Sequence, residues 1–193
     1  MVQVADYQPL DSLAGPLEDI PIDRESKLLD YEGELCVVMG KTCKNLDKSN
    51  QDPLDFVLGY TVGNDVSARH WQNTQLSGGQ HGYAKAFDKF APIGPSIVST
   101  SVIPDPSKLR LTTKVNGELR QETGTDDLLF DIRTVIRHMS RGRTIRPGTV
   151  IMTGTPSGVG WFMEPSGLLK DGDIVEVEID QIGVIKNRMV FEA

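Results

Sequence analysis

The sequence predicts a β-rich α+β fold, on three observations. Short apolar runs bounded by Gly, Pro and Asn outnumber helical patterns. They do not alternate regularly with helices, as the strands of a doubly wound sheet would. An Asn116-Gly117 pair sits in the middle of the near-alternating stretch LRLTTKVNGELRQE; Asn-Gly marks a two-residue hairpin, because both central positions need positive φ.

Taken in order, residues 1–28 are rich in Pro, Asp and Glu with little periodicity and predict an extended arm rather than a packed element. One folded domain is expected over 29–193. Glu34 to Gly40, ELCVVMG, is a short apolar run with β-branched residues that suits a strand buried on both faces. Asp52 to Leu58 predicts a short helix with Pro53 at its first position, where the missing N–H costs nothing. GYTVGNDVS follows as a strand, and then the hairpin. Leu129, Ile132, Val135, Ile136 and Met139 share one helical face, with Asp126 or Asp127 as the cap. GTVIMTGTPSGVG is a strand running into a glycine-rich turn, and DIVEVEIDQIGVIKNRMVFE gives two strands around Gly183. The sequence contains no internal repeat.

Composition narrows the function. A chain of 193 residues suits one compact domain. No apolar run approaches the roughly 20 residues needed to cross a bilayer, so a membrane protein is not expected. The N-terminus lacks the basic start and apolar core of a secretory signal, which points to a cytoplasmic address while leaving a mitochondrial one open. Cys36 and Cys43 offer neither a disulfide framework nor a paired zinc spacing and are expected as free thiols. A net charge of −7 argues against a nucleic-acid partner. The basic run RHMSRGRTIR lacks stacking aromatics and is expected as a solvated helix end.

Four clusters carry candidate chemistry. In DYEGEL, Glu32 and Glu34 leave one face of a regular strand about 7 Å apart. Two long carboxylates can converge there on a cation, and Gly33 leaves room on the other face; such a pair can also be a polar strand rim. GNDVSARHWQ crowds Asn64, Asp65, Arg69, His70 and Gln72 at a strand end, either as a site or as a solvated loop in which Asp65 pairs Arg69. Lys85 lies among small and aromatic residues in GYAKAFDKFAPIGP, either as a desolvated charge or as a side chain that snorkels to water. TGTPSGVG suits a nest of anion-binding donors, or is simply a turn.

Together the blocks DYEGEL, NDVSARHWQ, KAFDKFAPIGP and TGTPSGVG, with the hairpin VNGELRQ, resemble in order and spacing the fumarylacetoacetate hydrolase family from about Leu29 to the C-terminus. The resemblance implies a β-roll catalytic domain over 29–193. It implies that Glu32, Glu34 and Asp65 hold Mg²⁺, or Mn²⁺ or Ca²⁺; three carboxylates suit a hard cation. Lys85, Arg69 and Gln72 then fall on positions around the substrate oxygens, and Thr155 with Gly154 on positions that meet the substrate carboxylate. The implied substrate is a small 2-oxo or β-diketo acid, and the implied assembly is a homodimer. The implied reaction breaks a carbon–carbon bond through a stabilised enolate, by hydrolysis or decarboxylation. The alternatives are a keto-enol isomerase of the same family and a catalytically silent metal-binding scaffold. Relatives carry a His-Glu lid segment before the first block. No histidine precedes Asp30, so the chain is expected to start after that lid, which would spare decarboxylation and isomerisation more than hydrolysis. His70 and His81 are the candidates to replace its base.

Overall fold

Twelve strands and two short α-helices order residues 7–192, the part of the chain that the computed structural model describes. The strands are β1 (Leu13–Ala14), β2 (Ile20–Ile22), β3 (Leu29–Asp30), β4 (Gly33–Met39), β5 (Val57–Asn64), β6 (Ser67–Ala68), β7 (Ala91–Ser99), β8 (Arg110–Val115), β9 (Glu118–Gly124), β10 (Val150–Met152), β11 (Ile174–Ile179) and β12 (Gly183–Phe191). The helices are α1 (Thr74–Ser77) and α2 (Ile132–Met139). One five-stranded sheet runs β1-β7-β5-β4-β10 and a second runs β2-β12-β11-β8-β9, while β3 and β6 form a small antiparallel ribbon. The first sheet packs through β4, β5 and β7 against β8, β11 and β12 of the second.

β4 is buried at every position, as its unbroken apolar run predicts. Leu35, Val37 and Met39 enter the main core with Tyr60, Val62, Val177, Ile179 and Ile185. Each such side chain contributes about 1.5–3 kcal/mol when fully buried. A slip of one residue would exchange this row for Glu34 and Cys36, so the register with β5, Glu34 opposite Gly63 and Leu35 opposite Val62, is strongly specified. Gly33 is required by the second sheet: a Cβ there would lie 2.2 Å from Thr113 Oγ1 and 3.0 Å from Val177.

The Asn-Gly hairpin forms as predicted. Asn116 and Gly117 take φ of 52° and 83° between β8 and β9, with Val115 opposite Glu118. Three other expectations change. The segment 7–28 is extended but packed: β1 joins β7 and β2 joins β12, both in parallel, and Ile20 and Ile22 are fully buried. Alternating apolar positions in DIPI are enough to add β2 to the edge of the second sheet, and Leu13–Ala14 adds β1 to the edge of the first. Residues 1–6 of the expected arm lie outside the described residues. The expected helix over Asp52 to Leu58 is a single 3-10 turn, Pro53–Phe56, capped by Asp52, since the β-branched run from Val57 continues as β5. Helix α2 starts later than expected, with Asp131 rather than Asp126 or Asp127 as its cap, accepting from the Thr134 N–H at 2.6 Å. Asp126 and Asp127 belong to a separate turn, and Leu129 is left 69% exposed. The basic helix end is partly employed, because Arg137 donates to the carbonyls of Ser49 and Gln51.

Candidate active site

The two glutamates are brought together by strand alternation. Glu32 just precedes β4 and Glu34 is its second residue, so both carboxylates leave the face opposite Gly33 and Leu35. Asp65 follows the end of the neighbouring strand β5, and its backbone N–H donates to the Glu32 carbonyl at 2.8 Å. Asn64 accepts from the Glu32 N–H at 2.9 Å through its side-chain oxygen, which locks the two strand ends in register. One oxygen from each of Glu32, Glu34 and Asp65 lies within 4.8 Å of the others, and all three residues are buried.

Lys85 completes the cluster. It ends the 3-10 turn Gly82–Lys85, which carries a chain of edge-to-face and tilted aromatic contacts: Trp71 with Tyr83 at 4.9 Å, Tyr83 with Phe87 at 5.5 Å and Phe87 with Phe90 at 5.2 Å. Lys85 is 7% exposed, so it does not snorkel to water. Its ammonium donates to Glu32 at 2.7 Å, to Ser67 Oγ at 3.0 Å and to Asp65. The arm contributes as well, since Gln8 Nε2 donates to the second Asp65 oxygen at 2.7 Å.

Arg69 stands behind Glu32. It pairs with Glu32 at 2.7 Å and with Asp30 at 2.9 Å, and donates to Gln72 Oε1 at 2.9 Å. The Asp65–Arg69 pair of the solvated-loop alternative is therefore absent; Asp65 faces Lys85. Asp30 is fully buried and also accepts from the Gly160 and Trp161 N–H groups at 2.8 and 3.0 Å, which ties the glycine-rich turn to Arg69.

The turn after β10 forms the facing wall. Gly154, at φ of 108°, donates its N–H to Glu34 at 2.6 Å. Thr155 Oγ1 lies 3.2 Å from the Gly33 carbonyl and accepts from Gln121 at 2.8 Å. Glu32, Glu34, Asp65, Lys85, Gly154 and Thr155 all line one cleft of about 700 Å³, which Leu13, Phe130 and Met139 also line with apolar side chains. Arg69, Gln72, His70 and His81 are not among the residues lining it; His81 is exposed and His70 packs against Trp71.

The electrostatics show an excess of negative charge. Burial, then repulsion from Asp65 and Glu32, holds the Glu34 carboxyl well above the usual range against the pull of Lys85. Burial likewise raises Asp65 to about 6, Lys85 opposing. For Lys85 burial works against the charge, but Asp65, Glu32 and Glu34 outweigh it and push its pKa up. With its carboxylate partners free of metal, Lys85 is a cation and a hydrogen-bond donor. Three buried carboxylates with one lysine shared between two of them leave room in charge for a divalent ion. An all-oxygen donor set is what Mg²⁺, Mn²⁺ or Ca²⁺ prefers, so the residues present fit such an ion.

Sequence reasoning missed Gln8, Asp30, Ser67 and Gln121. Asp30 and Gln121 lie inside the quoted blocks, and Ser67 inside NDVSARHWQ, but no spacing rule marks a supporting hydrogen bond. Gln8 sits in a segment with no periodicity.

Fold and site together define the class, and comparison with known proteins agrees. The chain belongs to the fumarylacetoacetate hydrolase family: the family described as fumarylacetoacetate (FAA) hydrolase, C-terminal, matches residues 3–190. Among curated relatives, an oxaloacetate tautomerase of Xenopus laevis, named as mitochondrial, is 44% identical over 93% of this chain and 55% of its own length. The corresponding Rattus norvegicus protein, also named as a mitochondrial oxaloacetate tautomerase, is 41% identical over 93% of this chain and 56% of its own. Among solved structures, a 5-carboxymethyl-2-hydroxymuconate delta-isomerase from Mycobacterium smegmatis superposes with a TM-score of 0.85 at 38% identity, covering 100% of this chain and 73% of that one. A fumarylacetoacetate hydrolase from Exiguobacterium antarcticum gives 0.86 at 39%, covering 96% and 65%. The chain spans a little over half the length of the curated relatives it matches. Among the described residues no helix is long and apolar enough to cross a membrane.

Proposed function

We propose that this chain catalyses keto-enol isomerisation of a small 2-oxo dicarboxylic acid of the oxaloacetate type, with a divalent cation at Glu32, Glu34 and Asp65. The observation that carries the reading is the arrangement across one cleft of three converging carboxylates, the cation Lys85 and the donor turn Gly154–Thr155. A bound cation would supply Lewis-acid stabilisation of negative charge on a substrate oxygen. Lys85 would add a positive charge and N–H donors beside it, a contribution aimed at charge that develops during reaction. Thr155 would orient a carboxylate, and the apolar wall of Leu13, Phe130 and Met139 would thin out water around it. Isomerisation moves one proton from carbon to oxygen and consumes no water, so it asks less of the cleft than hydrolysis does. The two similar tautomerases and the similar delta-isomerase support this choice over carbon–carbon cleavage.

The similarity to a fumarylacetoacetate hydrolase keeps acylpyruvate hydrolysis, with oxaloacetate decarboxylation, as the second reading. The test is a panel of oxaloacetate and acylpyruvates with Mn²⁺, Mg²⁺ or EDTA, following enol absorbance, carbon dioxide release and product acids separately. Enolisation faster than the uncatalysed rate, abolished by EDTA and restored by metal, is expected. Turnover confined to hydrolysis would overturn the first reading in favour of the second. The assembly is proposed to be a homodimer, so light scattering at micromolar concentration is expected to give twice the chain mass.

A further inference from the structure

Gln121 is 1% exposed in β9 of the second sheet, yet every polar contact of its side chain goes to the candidate site. Its Oε1 accepts from the N–H of Gly33, the residue between the two glutamates, at 3.0 Å. Its Nε2 donates to Thr155 Oγ1 at 2.8 Å and to the Pro156 carbonyl at 3.1 Å. Reversing the amide would set N–H against N–H and carbonyl against carbonyl, so these partners fix its orientation.

That orientation decides what Thr155 can do. A hydroxyl has one hydrogen to give. Because Gln121 already donates to Oγ1, the Thr155 hydrogen has to point away from Gln121. Here it meets the Gly33 carbonyl at 3.2 Å, a long bond for a hydroxyl donor. An anionic oxygen entering the cleft that Thr155 lines is a better acceptor, since hydrogen bonds to charged groups are shorter and stronger. We infer that Gln121 is a positioning residue that commits the Thr155 hydroxyl to donating toward the substrate carboxylate, while the same amide anchors the backbone between Glu32 and Glu34. This rests on the proposed oxo-acid reading and deepens it.

Gln121→Glu separates the two tasks. In its ionised form the substituted carboxylate keeps an acceptor for the Gly33 N–H, but turns an acceptor toward Thr155, which draws the hydroxyl hydrogen away from the cleft; binding is therefore measured at a pH high enough to ionise it. Gln121→Met removes all three hydrogen bonds and leaves the hydroxyl free to turn. The measurement is calorimetric binding of oxalate, an unreactive dicarboxylate probe, to the Mn²⁺-loaded protein, with Mn²⁺ affinity and thermal melting recorded for each variant. Gln121→Glu is expected to weaken oxalate by roughly tenfold or more, with Mn²⁺ affinity within twofold of wild type. Gln121→Met is expected to weaken it less, although a purely structural role would make the methionine variant the worse one. Thr155→Val should lose about as much as Gln121→Glu, Thr155→Ser should recover most of it, and adding Gln121→Glu to Thr155→Val should cost nothing further.

Further loss in the double variant would mean charge repulsion, and equal loss of Mn²⁺ affinity would mean scaffold damage; either overturns the inference. Wild-type oxalate binding that Gln121→Glu leaves unchanged, with enolisation intact, overturns it while sparing the proposed function. Selective loss of oxalate binding in a protein that does not enolise oxaloacetate supports it and sinks that function instead. Failure of the wild-type protein to bind oxalate would sink both.

Discussion

Glu34→Gln is expected to abolish stabilisation by divalent cations without weakening the metal-free fold. The wild-type protein should melt higher as Mn²⁺ or Mg²⁺ is added, because a ligand that binds only the folded state stabilises it by about 2.7 kcal/mol at a hundredfold excess over Kd. For a chain of this length that is roughly 5–10 °C. The amide keeps an oxygen to accept the Gly154 N–H at the position Glu34 now occupies, so the turn stays anchored. What disappears is a charge that burial, Asp65 and Glu32 all oppose. Removing a disfavoured buried charge should leave the metal-free melting temperature equal or higher.

The pH dependence gives the same test a sign. A carboxyl whose folded pKa is raised holds its proton more tightly folded than unfolded, so stability falls as pH rises from the unfolded value through the folded one. For Asp65 that window runs from 3.8 to about 6, and for Glu34 it begins at 4.5 and extends well above. The metal-free wild type should lose stability across this range, Glu34→Gln should lose less, and saturating metal should flatten the wild-type curve. Equal metal shifts in wild type and variant, by calorimetry and melting, would remove Glu34 from the cation site.

Much of this was legible in the sequence, and the reason differs by element. The hairpin at Asn116-Gly117 and the buried strand β4 are local: positive φ at two residues and an unbroken apolar run each have few structural solutions. The Glu32/Glu34 pair was legible because a strand period of two is rigid geometry. Asp65 joined them only through the family resemblance, since its placement depends on β4 pairing with β5 over a loop of irregular structure. Lys85 was recognisable as unusual from its aromatic neighbours, but its partners, 53 and 20 residues away, were not. The segment 7–28 was misjudged because an edge strand of two or three residues carries too little pattern to outweigh its prolines and acids. Arg69 was placed near substrate oxygens by family resemblance alone, and its partners Asp30 and Glu32 were not legible. An arginine with two carboxylates in reach is held by them, and no spacing rule ranks those partners.

Lys85→Met is expected to have the largest effect on the metal-free protein. The ammonium is buried and its pKa is pushed up, so Glu32 and Asp65 more than compensate for its desolvation. Methionine replaces the aliphatic stem but ends one atom short of the ammonium, and leaves those carboxylates buried without their shared cation, with only Arg69 still on Glu32. Breaking one partner from a buried pair costs about 3–5 kcal/mol, which for this chain corresponds to roughly 6–20 °C in melting temperature. The loss should be smaller at low pH, where the stranded carboxyls can take up protons. A lysine that acted on substrate alone would leave cation affinity unchanged. Here Lys85 occupies two of the three carboxylates, so its removal should leave Mn²⁺ binding at least as tight as in wild type, and saturating Mn²⁺ should restore most of the lost stability. Turnover should not return with the metal. If Lys85 supplies the positive charge beside the reacting oxygen, kcat for oxaloacetate enolisation falls by about 10²-fold or more in the metal-saturated variant. Rescue of both stability and kcat by Mn²⁺ would make Lys85 a stand-in for the cation and nothing more. An unchanged melting temperature in EDTA would instead show that the Glu32 and Asp65 contacts do not hold the site together.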